Sequence, residues 1–170
     1  MPGMAGYDWI TFTSDYGLED HFVGVCHGVM ARVAPGARVL DVTHAVGAQD
    51  VRQGALVLAQ AVPYLPRAVH LAVVDPGVGT RRGMVAVQAG GQPLVGPDNG
   101  LLVWAAEALG GIDVLVWCAA SMVFGHFPDV DPDDFDRTTA VTYTAAVDTI
   151  RAALPHLEAS GGGIVATGSI

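Results

Sequence analysis

VHLAVVDPGVGTRR, residues 69–82, runs almost wholly apolar up to Asp75, breaks at Pro76-Gly77, and returns two guanidinium groups, Arg81 and Arg82, toward the carboxylate. An apolar run of this length bounded by a turn suits a strand of a parallel sheet covered on both faces. Toward the N-terminus, WITFT (9–13) is a β-rich run ending in Ser14-Asp15-Tyr16-Gly17. The stretch 20–33 then places Phe22, Val25, Val29 and Val33 at helical spacing. RVLDVTH (38–44) reads as a second strand and QDVRQGALVLAQAV (49–62) as a second helix stopped by Pro63 and Pro66.

Toward the C-terminus, MVAVQ (84–88) and PLVG (93–96) are joined through Ala89-Gly90-Gly91-Gln92, a hairpin signal because glycine supplies positive φ at a tight reversal. Asn99 to Leu109 reads as a third helix and IDVLVWCAA (112–120) as another buried strand. Asp131-Pro132-Asp133-Asp134 combines a capping Asp, Pro in the first turn and acids at the positive end of the dipole. The helix it opens is expected to run to about Leu154, ahead of Pro155, with IVATGSI (164–170) as a last strand. Alternating βα units with apolar strands predict a Rossmann-like α/β fold. Its sheet would be doubly wound and mostly parallel in a three-layer sandwich, and residues 1–170 would form a single domain.

Composition narrows the chemistry. The 170 residues are 51% hydrophobic and 15% charged, which suits a buried sheet and excludes disorder. All eight basic residues are arginines, so mechanisms that need a lysine ammonium are closed. Seventeen acids give a net charge of −9, a field that repels nucleic acid and anionic membranes. Residues 111–170 hold eight acids against two arginines, a steeper imbalance than the nine against six before them. Cys26 and Cys118 are too few for a disulfide framework or a metal knuckle, and no metal is expected. As two buried free thiols they fit a reducing compartment, and without a membrane-length apolar run the expectation is a cytoplasmic protein.

Ligands of open α/β sheets collect where strands deliver their C-terminal ends. Four clusters stand there: Ser14-Asp15, Asp41 to His44, Asp75 to Arg82, and Pro97-Asp98-Asn99-Gly100. The carboxylate of Asp75 with the guanidinium of Arg82 could hold and polarise a water. The alternative is a turn-capping Asp beside solvated arginines.

TSDYGLEDHFVGVCHGVM, DVTH, QDVRQGALVLAQAVPYLP, VVDPGVGTRR and GPDNGLL, in this order, resemble the N-terminal domain of the S-adenosylmethionine hydroxide adenosyltransferases, relatives of the fluorinases and chlorinases. The resemblance covers about residues 9–110. It implies that Asp15 bonds the ribose hydroxyls, that Asp75 and Arg82 orient the attacking water, and that Asp98 and Asn99 line the site. S-adenosylmethionine or adenosine would be the ligand. That family continues with a His-Gly-Arg-Asp run and a C-terminal β-barrel domain, neither of which follows here; His126 reads as a loop histidine.

Residues 110–170 instead resemble the middle of a short-chain dehydrogenase/reductase, with Thr142 at the tetrad asparagine and Ser169 at the catalytic serine. There is no dinucleotide loop, no Tyr-x-x-x-Lys and no lysine, so NAD(P) and hydride transfer are not expected. The two resemblances meet near 109–113. The expectation drawn from them is a chimera, an engineered or de novo recombinant scaffold with a vestigial adenosyl site and no catalysis. Retained S-adenosylmethionine hydrolysis is the alternative, and a binding module that holds adenosine without turnover lies between. Self-association, as a homodimer, is expected from the wide apolar surface of the last helix: Phe135, Val141, Tyr143, Val147, Ile150, Leu154 and Leu157.

Overall fold

The computed structural model describes residues 6–80, 82–123 and 125–167. Seven strands form one sheet: β1 (Trp9–Ser14), β2 (Arg38–Thr43), β3 (Val69–Val73), β4 (Met84–Ala89), β5 (Gln92–Pro97), β6 (Val114–Trp117) and β7 (Gly163–Ala166). Their order is β2-β1-β3-β5-β4-β6-β7. β2, β1, β3 and β5 run parallel, β4 is antiparallel to both β5 and β6, and β6 pairs parallel with β7. Every strand except β4 therefore ends at one edge of the sheet, and the start of β4 lies at that same edge. The hairpin between β4 and β5 turns on Gly90 and Gly91 at φ 55° and 70°, the left-handed pair that a two-residue reversal requires.

Five α-helices accompany the sheet: α1 (Phe22–Val33), α2 (Val51–Ala61), α3 (Val103–Ala108), α4 (Pro132–Thr139) and α5 (Ala145–Ser160). Asp50 caps α2 by accepting from the Gln53 N–H, and Asp131 caps α4 by accepting from Asp133. The core lies between the sheet and α2, α3 and α5: Leu58, Ala105, Ala106, Ala153 and Leu157 pack on Ala72, Val87, Leu94 and Leu115. α1 lies on the opposite face, where the His27 ring sits 6.3 Å from that of Phe12. With most helices on one side, β3 is buried at alternate residues, His70 and Ala72, and not covered on both faces as its composition suggested.

Four further expectations change. The stripe Phe22, Val25, Val29 and Val33 faces outward, and the buried residue of α1 is Val23. α4 passes through a π-helical turn, Ala140–Thr144, into α5, which contains Pro155 and ends only at Ser160. Burial of Ala153 and Leu157 on either side of the proline holds this helix together against the missing N–H. β7 joins the sheet as expected, but as an exposed edge strand. Cys26 is half-buried and Cys118 exposed, so the thiols are not a buried pair.

Candidate functional site

The strand ends bring the four clusters picked from sequence to one edge. β1 and β3 are neighbours there, and the chain leaves β1 on one side for β2 and returns on the other to β3. Such a reversal opens a crevice in which α/β proteins bind ligands. Asp15 stands at one lip, and its Oδ2 accepts the backbone N–H of Gln49 at 2.8 Å. Gln49 holds φ 65°, the single positive-φ residue other than glycine among the described residues. Such strain persists where surrounding structure imposes it, often beside ligands.

Asp75 stands at the other lip. Its Oδ1 accepts the Gly77 N–H at 3.0 Å and lies 3.1 Å from Arg82 Nη2, an ion pair. The pair is largely shielded, with 14% of the Asp75 side chain and 22% of the Arg82 side chain exposed. Gly77 is required for this contact, because a Cβ there would overlap Arg82 Nη2. Asp75 thus caps its turn, as one sequence reading had it, but Arg82 lies against it, largely shielded, where that reading had a solvated arginine.

Asn99 ties the third segment to the site. Its Nδ2 donates to the Val74 carbonyl at 2.8 Å, next to Asp75, while its Oδ1 accepts from Leu101 N–H at 3.1 Å. Asp98 donates its N–H to the Gly83 carbonyl at 3.0 Å and accepts from the Thr149 hydroxyl of α5. A hollow of ≈ 330 Å³ lined by Arg82, Gly83, Asp98, Asp148 and Thr149 opens here. An apolar cavity of ≈ 210 Å³ lies beside it between α3, α5 and the sheet, with Asp98 and Thr149 shared between the two. Residues beyond 110 therefore wall the site.

Tyr16 was passed over in the sequence, although it directly follows Ser14-Asp15 in the turn. Burial first, then the charges of Cys26, Asp15 and Asp75, push its phenol above the ordinary value, so it keeps its proton at neutral pH. His27 on α1 was also passed over; it joins Asp41 and His44, with Nε2 2.8 Å from Asp41 Oδ1. Partial burial would raise the Asp41 carboxyl, but its two histidine neighbours outweigh this and hold it below the ordinary value. His126 is an exposed loop residue, Thr142 bonds Ser121, and Ser169 lies outside the described residues.

A family model described as the SAM hydroxide adenosyltransferase N-terminal domain matches residues 10–146. The chain is 63% identical over 125 residues to an (R)-S-adenosyl-L-methionine hydrolase of Salinispora arenicola, covering 70% of this chain and 48% of that protein. It is 54% identical over 101 residues to one of Thermus thermophilus, covering 58% and 39%. A crystal structure of a conserved hypothetical protein from Thermus thermophilus superposes with TM-score 0.55 at 38% identity, covering 81% of this chain and 53% of that one. The chain spans about half the length of the curated relatives it matches.

These matches overturn the chimera. The family model passes through the supposed junction at 109–113 without a break. The sheet does likewise, with Trp117 of β6 paired to Val85 of β4. The engineered, de novo and dehydrogenase-fragment readings fall with it. So does the non-catalytic scaffold, since relatives at 54–66% identity carry the name of a hydrolase. The alternating strand and helix signals misled because a helix end followed by a strand recurs throughout α/β chains and marks no boundary between families. The chain belongs to the SAM hydroxide adenosyltransferase N-terminal domain family.

Proposed function

We propose that the chain binds (R)-S-adenosyl-L-methionine and hydrolyses it to adenosine and methionine; its relatives carry the name (R)-S-adenosyl-L-methionine hydrolase. The observation that carries this is the shielded Asp75–Arg82 pair at the lip of the crevice opposite Asp15. Asp15 offers two acceptor oxygens to the vicinal ribose hydroxyls, with Gln49 fixing its orientation. The Gly77 N–H bond and the Arg82 ion pair both involve Oδ1, which leaves Oδ2 to accept a hydrogen bond from a water. Arg82 holds that carboxylate in place, and the carboxylate relieves the positive charge that grows on the attacking oxygen by accepting its proton.

The water oxygen attacks the 5′ carbon, the carbon–sulfur bond breaks, and methionine leaves with the electron pair as a neutral thioether. The water proton passes to Asp75 and then to solvent. No lysine, metal or redox partner enters this balance. The substrate's sulfonium is a cation, and the net charge of −9 draws it toward the protein. Asp98 and Asn99 act as positioning residues, one joined to α5 and the other to the strand end before Asp75. NAD(P) has no role in the proposal, and adenosine would be a product ligand. The test is release of adenosine and methionine from the (R)-sulfonium substrate, compared with an Asp75→Asn, Arg82→Ala double variant.

Self-association is part of the same proposal. Phe135, Tyr143 and Leu154 stay 55%, 70% and 42% exposed, and the apolar stripe of α1 is equally uncovered. Among the described residues no helix is long and apolar enough to cross a membrane, so neither surface belongs to such a span.

A further inference from the structure

We infer that His27, Asp41 and His44 form a binding site for a first-row divalent transition-metal ion that clamps α1 to the β1–β2 edge of the sheet. Their ligand atoms lie within 4.8 Å of one another. Asp41 Oδ1 is 2.8 Å from His27 Nε2 and 3.0 Å from His44 Nε2. Nitrogen and oxygen ligands on one tetrahedral zinc ion, at metal distances of about 2.0–2.2 Å, stand about 3.3–3.6 Å apart. The two Asp41 contacts would therefore open by about half an ångström as an ion enters. Two imidazoles and one carboxylate form a donor set that suits Zn²⁺, Fe²⁺ or Co²⁺, and they are too nitrogen-rich for Mg²⁺ or Ca²⁺.

His44 points independently to a ligand. It is 3% exposed, and its Nε2 is buried with no hydrogen-bond partner; the Asp41 oxygen, although near, lies off the direction a ring N–H would need. The other ring nitrogen, Nδ1, is 2.7 Å from Ser14 Oγ. With the Nδ1 proton donated to that hydroxyl, the Nε2 lone pair faces the cluster, which is the arrangement that orients a metal-binding histidine. The Nε2 of a fully buried histidine left without a partner costs free energy, and a metal ion removes that cost.

The side chains of His27 and Asp41 are 37% and 38% exposed, so one side of the site is open to solvent for entry and for water ligands. The location gives the clamp a purpose. α1 buries only Val23 and exposes its apolar stripe, so little packing fixes it to the sheet. The cluster joins the middle of α1 to the end of β2, two elements that otherwise share little packing. Nothing in the hydrolytic proposal uses these three side chains.

The experiment is a titration of the chelator-treated full chain with Co²⁺, followed by its visible ligand-field absorption, with Zn²⁺ competition and thermal melts. One Co²⁺ per chain at submillimolar affinity, displaced by Zn²⁺, and a melting temperature raised by Zn²⁺ but not by Mg²⁺ are expected. His27→Gln and Asp41→Asn, both at partly exposed positions, should fold. Each is expected to weaken Co²⁺ by at least about 10-fold and remove the Zn²⁺-dependent rise. Absence of a one-to-one complex, or affinity unchanged in both variants, would overturn the site and leave the cluster a hydrogen-bonded strut. Neither result bears on hydrolysis, which is read separately.

Discussion

Arg82 Nη2 reaches Asp75 Oδ1 at 3.1 Å only because residue 77 has no side chain. A methyl group at Gly77 must displace the guanidinium, a flexible end that can swing into solvent. Gly77→Ala is therefore expected to cost about 1 kcal/mol in stability, because the displaced guanidinium regains water while the Asp75 carboxylate keeps the backbone N–H of residue 77. It should nevertheless lower turnover by about 10-fold or more, because the pair acts as a unit. Paired melts and adenosine release measure both; equal turnover in the variant would separate Arg82 from the chemistry.

The strained Gln49 supports Asp15 through its backbone, so its side chain matters less than its φ of 65°. Gln49→Gly is expected to leave KM for the sulfonium substrate within about 2-fold, since glycine adopts this conformation freely. Gln49→Val, β-branched and averse to positive φ, should cost about 1–3 kcal/mol and raise KM. Kinetics on the two variants check the distinction.

His70 is fully buried between Thr11 and Gln92, and burial lowers its pKa despite the opposing Gln92 bond. A histidine held below its unfolded value binds its proton more readily in the unfolded chain. Its contribution is thus fully present above about pH 6.5 and is lost as pH falls from there toward the folded value. Melting temperature measured downward from about pH 8 should fall more steeply for the wild type than for His70→Gln. Parallel curves would show that His70 does not carry this dependence.

Much of this was legible in advance because local chemistry is strong at particular places. The Gly90-Gly91 reversal and the Asp131 cap each dictate one local structure and stand as read, and the apolar run before Asp75 is a strand, though not one covered on both faces. What sequence could not show was which face a helix presents. The stripe Phe22-Val25-Val29-Val33 has helical spacing, but spacing does not say whether a sheet lies beneath it, and none does. Pro155 read as a stop because its local cost was visible and the burial of Ala153 and Leu157 was not. His27 and Tyr16 acquire their neighbours only when α1 and the turn fold over β1 and β2.

The uncovered residues Phe135, Tyr143 and Leu154 lead to an expectation of a dimer at tens of micromolar, where association of roughly 8 kcal/mol is visible. Sedimentation velocity measures it directly. A single monomer peak at that concentration would contradict it.

Adenosine release from (R)-S-adenosyl-L-methionine, followed by chromatography in the intact chain and in the Asp75→Asn, Arg82→Ala variant, tests the central claim most directly. Release well above the uncatalysed background is expected in the intact chain, with a drop of about 10²–10⁴-fold in the variant. Equal release from the two proteins would contradict the assignment of hydrolysis to this pair.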